Sequence, residues 1–460
     1  MLNDTICAIA TAPSNSGISI IRVSGQNALD IVDLLFVNPS HKHILKSIES
    51  HTISYGFLLD GNEVVDEVLV SFFKGPKSFT AEDTVEINCH GGIFVTNRIL
   101  DLVISKGARL AQPGEFTKRA FLNGRIDLTK AEAVMDLISS TSNLSLQTSI
   151  SQLRGSIYNQ IKSIRSDIIF EIAFIESALD DPEHYTLDEE YHQKLHAKLS
   201  SIIEITKNLI NSSENGRIIK GGIRTVILGK PNAGKSSILN LLAQTDRAIV
   251  TDIAGTTRDV IEEQIKLGSI SLSVFDTAGI RNTDDKVESI GVDRALNIAQ
   301  EADLILFVVD SSVDLDENDY RIIDYIKDKK VIVLINKSDL NSVISKEEIE
   351  KYFDNVAFVS TSAVLQTGIS QLEDVIKNMF SLNEIDSSNE VVITSLRHKE
   401  ALVNALNSLN QVMNSLNNNM SEDFYSVDLM DAYSYYGSII GEEISDDLVN
   451  EIFEKFCMGK

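Results

Sequence analysis

The segment Gly229-Lys230-Pro231-Asn232-Ala233-Gly234-Lys235-Ser236 has the residue types and spacing needed to hold a polyphosphate. Its glycines let backbone N–H groups close around phosphate oxygens, and the start of the helix that follows adds partial positive charge. Lys235 can reach the β- and γ-phosphates, and the Ser236 hydroxyl can ligate Mg2+. Asp276-Thr277-Ala278-Gly279 ends a later strand-like run. There Asp276 can hold a Mg2+-bound water and the Gly279 N–H can contact the γ-phosphate. Asn336-Lys337-Ser338-Asp339 ends another run. The Asp339 carboxylate can accept from guanine N1–H and N2–H2, a pair that adenine does not offer. Ser362-Ala363, after Ala357-Phe358-Val359, suits the remaining base-contacting loop, and Thr257 in Gly255-Thr256-Thr257-Arg258-Asp259 is the natural switch threonine for Mg2+. The order and spacing imply a guanine-nucleotide site that hydrolyses GTP. Its expected contacts are Asn232, Ala233, Gly234, Lys235, Ser236 and Ser237, then Thr251, Thr256 and Thr257, then Asp276, Thr277, Ala278 and Gly279, and last Asn336, Lys337, Asp339, Ser362 and Ala363.

One position departs from many small GTPases. Ile280 follows Gly279, where a water-orienting glutamine often stands. An apolar side chain cannot align a nucleophilic water, so either turnover is slow or another group takes the role.

The elements that must position these residues can be read from periodicity. Residues 216–380 alternate strands and helices, the pattern of a mostly parallel sheet. Thr225–Leu228, Ser271–Phe275, Leu304–Val309 and Val331–Ile335 read as buried strands, and Ser237–Ala243 as the helix after the phosphate loop. Residues 119–215 are helical. Leu128, Ala131, Val134, Leu137 and Ile138 repeat at helical spacing, as do Ile157, Ile161, Ile164, Ile168 and Ile169. Residues 381–460 are helical again, so the expected arrangement is a GTPase domain inserted into an all-α domain made of 119–215 and 381–460. Residues 1–118 mix strands (Ile18–Val23, Glu67–Phe73) with a helix from Phe94 to Ser105, as in a small α+β domain.

Composition sets the outer bounds. With 43% hydrophobic residues, 460 residues can bury a sizeable core, on a scale of about 150 residues per domain. No run of about 20 apolar residues is free of charge, so no membrane span is expected, and the first residues lack a signal peptide's basic and apolar regions. Cys7, Cys89 and Cys457 are widely separated, which fits a reducing cytoplasm. The formal net charge of −26 opposes extensive nucleic-acid binding by this chain alone; a polynucleotide substrate would be held mainly by a partner.

Asn232 within the phosphate loop, Thr251-Asp252-Ile253-Ala254-Gly255-Thr256-Thr257-Arg258-Asp259, Pro113–Thr117, Leu122–Leu128 and the terminal Phe456-Cys457-Met458-Gly459-Lys460 together resemble the MnmE (TrmE) family of tRNA modification GTPases, within the TRAFAC class. The resemblance covers the whole chain. The family's terminal segment is usually Cys-Ile-Gly-Lys; Met458 keeps the size and apolarity. The resemblance implies the first step of 5-carboxymethylaminomethyl-uridine formation at the tRNA wobble position (U34), carried out with a flavin- and NADH-using partner, MnmG (GidA), in a heterotetramer. It also implies a constitutive homodimer through an N-terminal domain that binds 5-formyl- or methylene-tetrahydrofolate, and GTPase domains that associate in a K+-dependent way. Asn232 can offer K+ a side-chain oxygen, and Thr251, Ile253 and Thr256 can offer backbone or hydroxyl oxygens; hard oxygen ligands suit an alkali cation. Glu288 matches the family's catalytic glutamate and would act alongside Lys235, filling the role Ile280 cannot. Arg22, Glu86, Arg125 and Lys460 match folate contacts, although many members carry Lys where Arg125 stands. Arg22 and Lys460 would meet glutamate carboxylates or the formyl oxygen, and Glu86 the pterin N–H groups. Cys457 is either a thiol near the folate or a buried structural cysteine.

Two rivals compete. A regulatory GTPase of ribosome assembly would share the loops, but the acidic balance and terminal Cys-Met-Gly-Lys oppose it. A folate-binding scaffold with a vestigial GTPase is opposed by the intact Lys235, Ser236, Thr257 and Asp276.

Overall fold

The computed structural model of the chain describes residues 4–181, 184, 187–245, 262–275, 299–382, 391–418, 420–442, 445–454, 456 and 459. It forms two compact units, Met1–Met135 with Tyr436–Lys460, and Asp136–Tyr435.

In the first unit, alternating apolar residues make seven strands: β1 (Ile6–Ile9), β2 (Ile18–Ser24), β3 (Phe36–Val37), β4 (Thr52–Asp60), β5 (Glu63–Phe73), β6 (Thr84–His90) and β7 (Arg109–Leu110). Their order is β3-β4-β5-β6-β2-β1-β7, with only the β1–β7 pair parallel. Helices α1 (Ala28–Asp33) and α2 (Ile93–Ser105) bury Ile31, Val32, Ile99 and Val103 against Ile21, Val70 and Ile87 of the sheet. Helices α3 (Glu115–Leu122) and α4 (Leu128–Ile138) follow, and the C-terminal helix Asp446–Glu454 packs Val449 and Phe453, with Phe456 after them, onto Leu128 and Ala131. The chain end thereby reaches β1. Gly459 has φ +88°, and a Cβ there would stand 2.2 Å from the Ile9 carbonyl oxygen, so only glycine fits.

The second unit opens with α5 (Asn143–Leu153), α6 (Ser156–Asp180) and α7 (Glu189–Gly221). Along α6 the buried stripe runs through Ile157, Ile161, Ile164, Ile168, Ile172 and Ile175. Ile169, which the sequence pattern included, is instead 40% exposed: one residue past Ile168 it turns about 100° off the stripe. The second sheet contains β8 (Ile223–Leu228), β9 (Glu262–Leu267), β10 (Ile270–Phe275), β11 (Leu304–Asp310), β12 (Val331–Asn336) and β13 (Ala357–Ser360), in the order β13-β12-β11-β8-β10-β9. Among the described residues every pairing is parallel except the β9–β10 hairpin. Helices α8 (Lys235–Thr245) and α11 (Ile369–Met379) contribute Ile238, Leu242, Leu372 and Ile376 to one core, while α9 (Glu317–Ile326) and α10 (Lys346–Glu350) contribute Ile322, Ile326 and Ile349 to another. With both faces covered, β11 is buried along its whole length, as the continuous apolar run demands. Helix α12 (Leu396–Asn417) then lies along α7, and α13 (Glu422–Ile440) follows. The mostly parallel sheet is thus an insertion between helices, in keeping with the expected fold class.

The chain enters and leaves the sheet region at one clasp. A Cβ on Gly216 of α7 would lie 1.9 Å from the Ile393 carbonyl oxygen, so the two backbones touch. The buried Gln152 amide donates to the Val392 carbonyl (3.0 Å) and the Thr394 hydroxyl (3.1 Å). Asp136 accepts from Thr394 and pairs with Lys220 at 2.7 Å. At the start of β11, Asp303 receives a two-pronged bond from Arg217 (2.7 and 3.0 Å) and the Arg224 N–H at 3.1 Å.

Burial alone would raise the Asp303 carboxyl pKa, but the bonds from Arg217 and Arg224 outweigh it and hold it below the usual aspartate value. A depressed carboxylate contributes stability above its unfolded pKa, about 3.9, and loses it as pH falls through the lower folded value. The melting temperature should therefore decline as pH drops below about 4. Asp303→Asn should melt a few degrees lower at pH 7 and decline less steeply in acid. Identical melting curves for parent and variant across pH 2–7 would show that the clamp contributes nothing.

Candidate functional site

The phosphate loop leaves β8 at Gly229 and enters α8 at Lys235. Asn232 has φ +61° and Gly234 φ +99°, so the backbone curls in the way that turns successive N–H groups toward one concavity. A Cβ on Gly234 would stand 2.1 Å from Asn336 Nδ2, which makes that glycine obligatory. Lys235 Nζ donates to the carbonyl oxygens of Gly229 and Lys230, both at 2.9 Å. The concavity, the helix start and the lysine form a cradle that fits a Mg2+-bound polyphosphate. Ser236 stands second in α8; its expected Mg2+ co-ligand Thr257 lies outside the described residues.

Asn336, at the end of β12, is 2% exposed, and its Nδ2 donates 3.0 Å to the Ala233 carbonyl. One side chain of the base-recognition motif thus fastens the phosphate loop. Lys337 has φ +58° and pairs with Asp310 at the end of β11. Burial works against ionisation of Asp310, but Lys337 and Ser312 overcome it and keep its pKa below the usual range. Asp339 is exposed, and one of its carboxylate oxygens accepts from the buried Ser362 hydroxyl at 2.5 Å. The Ser338 N–H donates to the Thr361 carbonyl. The loops of 336–339 and 361–363 are therefore joined as a base-recognition site requires. Of the nucleotide residues expected from sequence, the structure brings together Asn232–Ser237, Asn336, Lys337, Asp339, Ser362 and Ala363. Thr251, Ile253, Thr256, Thr257, Asp276, Thr277, Ala278, Gly279, Ile280 and Glu288 lie outside the described residues.

A second constellation lies on the first sheet. The β2–β6 register sets Arg22 directly opposite Glu86, and Arg22 Nε donates to Glu86 at 2.8 Å. Arg22 Nη1 reaches the Gly459 carbonyl at 3.4 Å, next to the expected Lys460, which with Cys457 and Met458 lies outside the described residues. The Arg22 and Arg125 guanidinium groups lie 5.4 and 5.2 Å from the Phe79 ring centre, and Arg125 also donates to the Phe79 carbonyl at 2.9 Å. Arg22 and Glu86, assigned from sequence to different groups of a ligand, are thus one pair and can address only neighbouring groups. That coupling follows from strand register, which sequence does not display.

The same unit holds a network that sequence reasoning missed. Arg119 is 1% exposed and donates to Asp4, Glu82 and Glu115, while Glu115 also accepts from Arg109 and the Gln112 N–H. The only sequence sign was the Glu115/Arg119 spacing on one helix face. Among the described residues no acidic, histidine or cysteine cluster could hold a metal by itself.

The chain matches two family descriptions, "GTP-binding protein TrmE N-terminus" over residues 5–125 and "MnmE helical domain" over residues 128–457. It is 53% identical to the tRNA modification GTPase MnmE of Lachnoclostridium phytofermentans over 460 residues, covering 100% of both chains. The chain belongs to the MnmE family. Members from Acetivibrio thermocellus and Clostridioides difficile are 47% and 44% identical, each over 459 residues and 99–100% of both chains. Both constellations fall within the MnmE family matches, the Arg22 pair in the first and the nucleotide loops in the second.

Asn336→Ala would leave the Ala233 carbonyl without its donor and free the phosphate loop. GDP affinity, measured by fluorescent-nucleotide titration, should fall on the order of tenfold or more. An unchanged dissociation constant would exclude the tether.

Proposed function

We propose that this chain is a K+-dependent GTP hydrolase that, with a flavin-dependent partner of the MnmG (GidA) kind, installs the 5-carboxymethylaminomethyl group on wobble uridine U34 of tRNA. Family membership already makes it a GTP hydrolase of tRNA modification. The observation that carries the finer reading is the presence, in one chain, of a guanine-nucleotide cradle and a separate arginine–glutamate pair that also bonds the Gly459 carbonyl. A nucleotide switch alone would have no need of the second.

Residues 1–118 serve as the folate-binding and dimerisation domain, 119–215 and 381–460 as the two halves of the helical domain, and 216–380 as the GTPase domain. Ile53, Tyr55 and Leu69, exposed on adjacent strands β4 and β5, support a homodimer through the first sheet. Arg22, Glu86, Arg125 and Lys460 hold 5-formyl- or methylene-tetrahydrofolate, which supplies the one-carbon unit; FAD and NADH belong to the partner. Ser236 and Thr257 hold Mg2+, while Asn232, Thr251, Ile253 and Thr256 hold K+; these cations would neutralise charge on the phosphates. Lys235 binds the phosphates, Asp339 with Ser362 reads guanine, and Glu288 orients water in place of Ile280. No helix among the described residues is long and apolar enough to cross a membrane, and the reading places the protein in the cytoplasm with tRNA held mainly by the partner complex.

Glu288→Ala should cut single-turnover hydrolysis at least about a hundredfold with GTP affinity little changed. Exchanging K+ for Na+ should slow the wild type sharply. Equal rates in both salts would remove potassium from the mechanism. Mass analysis of tRNA from a deletion strain should show loss of the modified wobble uridine, restored by the wild-type chain and not by Glu288→Ala. Unchanged nucleosides in the deletion strain would overturn the assignment.

A further inference from the structure

The second residue of the phosphate loop, Lys230, stands where the motif leaves any residue free. Its side chain is nonetheless 11% exposed and does not point to solvent. Lys230 Nζ donates to Asp319 at 2.7 Å, to Asp316 at 3.2 Å and to the Asp314 carbonyl at 3.2 Å. Three donors meet three acceptors, and the ammonium is saturated. Burial works against its charge, but the bonds to Asp319 and then Asp316 outweigh it and hold it above the usual lysine range. Asp319 is 0% exposed. An ammonium and a carboxylate kept from water are strongly unfavourable apart, so the pair resists separation.

Its anchor is rigid. Asp316 caps α9 by accepting from the Asn318 and Asp319 N–H groups, and Asp319 Oδ2 accepts in return from the Asp316 N–H at 3.1 Å. Ile322, Ile323 and Ile326 of that helix are buried in the core beside β8 and β11. At the other end of the same residue, the Lys230 carbonyl accepts from Lys235 Nζ at 2.9 Å. Pro231 restricts the Lys230 backbone from the C-terminal side. The pinned side chain and the lysine-binding carbonyl belong to one short, stiff unit.

We propose that Lys230 is a positioning residue for GTP hydrolysis: clamped by Asp316 and Asp319 at the α9 cap, it holds the carbonyl that sets the place of Lys235. The proposal rests on the reading that the loop 229–236 binds the phosphates of GTP. With its donors committed to Asp314, Asp316 and Asp319, the Lys230 ammonium has none to spare for a phosphate. Its influence passes through Lys235, so its removal should matter only where Lys235 is present.

That dependence separates positioning from general support. Wild type, Lys230→Met, Lys235→Ala and the double variant would be titrated with a fluorescent GDP, and their single-turnover GTP hydrolysis measured in KCl. Lys230→Met should weaken GDP about tenfold and slow hydrolysis at saturating GTP by at least as much, yet change GDP affinity less than about twofold in the Lys235→Ala background. Lys230→Arg, which can still bridge both carboxylates, should return to within about threefold of wild type. Equal losses in the two backgrounds, or no recovery with arginine, would overturn the proposal. Should Lys230→Met fail to fold by circular dichroism, Asp319→Asn replaces it in the same cycle, with the same expected dependence and the same refutation. Failure of wild type to bind GDP would defeat the nucleotide reading itself, a result the cycle keeps distinct.

Discussion

A single hydrogen bond, donated by the Asn336 side-chain amide to the Ala233 carbonyl, makes the nucleotide site one object. Asn336 ends β12, Ala233 sits in the loop after β8, and β11 lies between the two strands. Parallel pairing brings the carboxyl ends of all three strands to one edge, where loops rather than strands have freedom to bind. The Asn336 amide crosses that edge. Gly234 is obligatory because the amide stands where a side chain would go, and Asp339, proposed above to read the base, inherits its location from the same turn. On the proposed reading, recognition of the base and grip on the phosphates are therefore not independent properties of two motifs.

Ion pairs, from buried to half-exposed, supply the remaining fasteners. Lys230 with Asp319, Lys337 with Asp310, Arg217 with Asp303, and Arg119 with Glu115 are each formed by residues on different elements or on facing turns. Such pairs are modest contributors to net stability, since desolvation offsets most of the attraction. Their strength is geometric: breaking one strands a charge, so alternative arrangements of the loops are strongly disfavoured.

The parts of this protein legible in the sequence are those where chemistry dictates local spacing. Gly229 to Ser236 could be read because phosphate binding needs those residues consecutively, and Asn336 to Asp339 because base reading needs one turn. Strands β8, β10, β11 and β12 of the second sheet were legible, most plainly β11 and β12, where burial on both faces leaves a continuous apolar run; β9, Glu262–Leu267, has no such run and was not. Helix α6 was legible in kind but not in phase: Ile168 and Ile169 are equivalent to the eye, and only tertiary packing chose the former. Arg119, Lys230 and the Arg22–Glu86 couple were not legible as they stand. A charged side chain in sequence looks solvated until the fold shows what faces it, and partners 37 to 115 residues away leave no local trace.

The clasp at Gly216 and Ile393 has a consequence in the language of polymer loops. Between Lys220 and Thr394 the chain is a closed ring, tied where Gln152, Asp136 and Ser212 grip both of its ends. The entropy of closing a ring grows only logarithmically with its contour, by about 0.6 kcal/mol for each doubling. The helices on which the ring is tied are thus nearly indifferent to how many residues it contains. A module inserted at such a knot can lengthen, shorten or be exchanged while its host keeps the same ends to hold, which makes this junction a natural port for grafting one nucleotide switch in place of another.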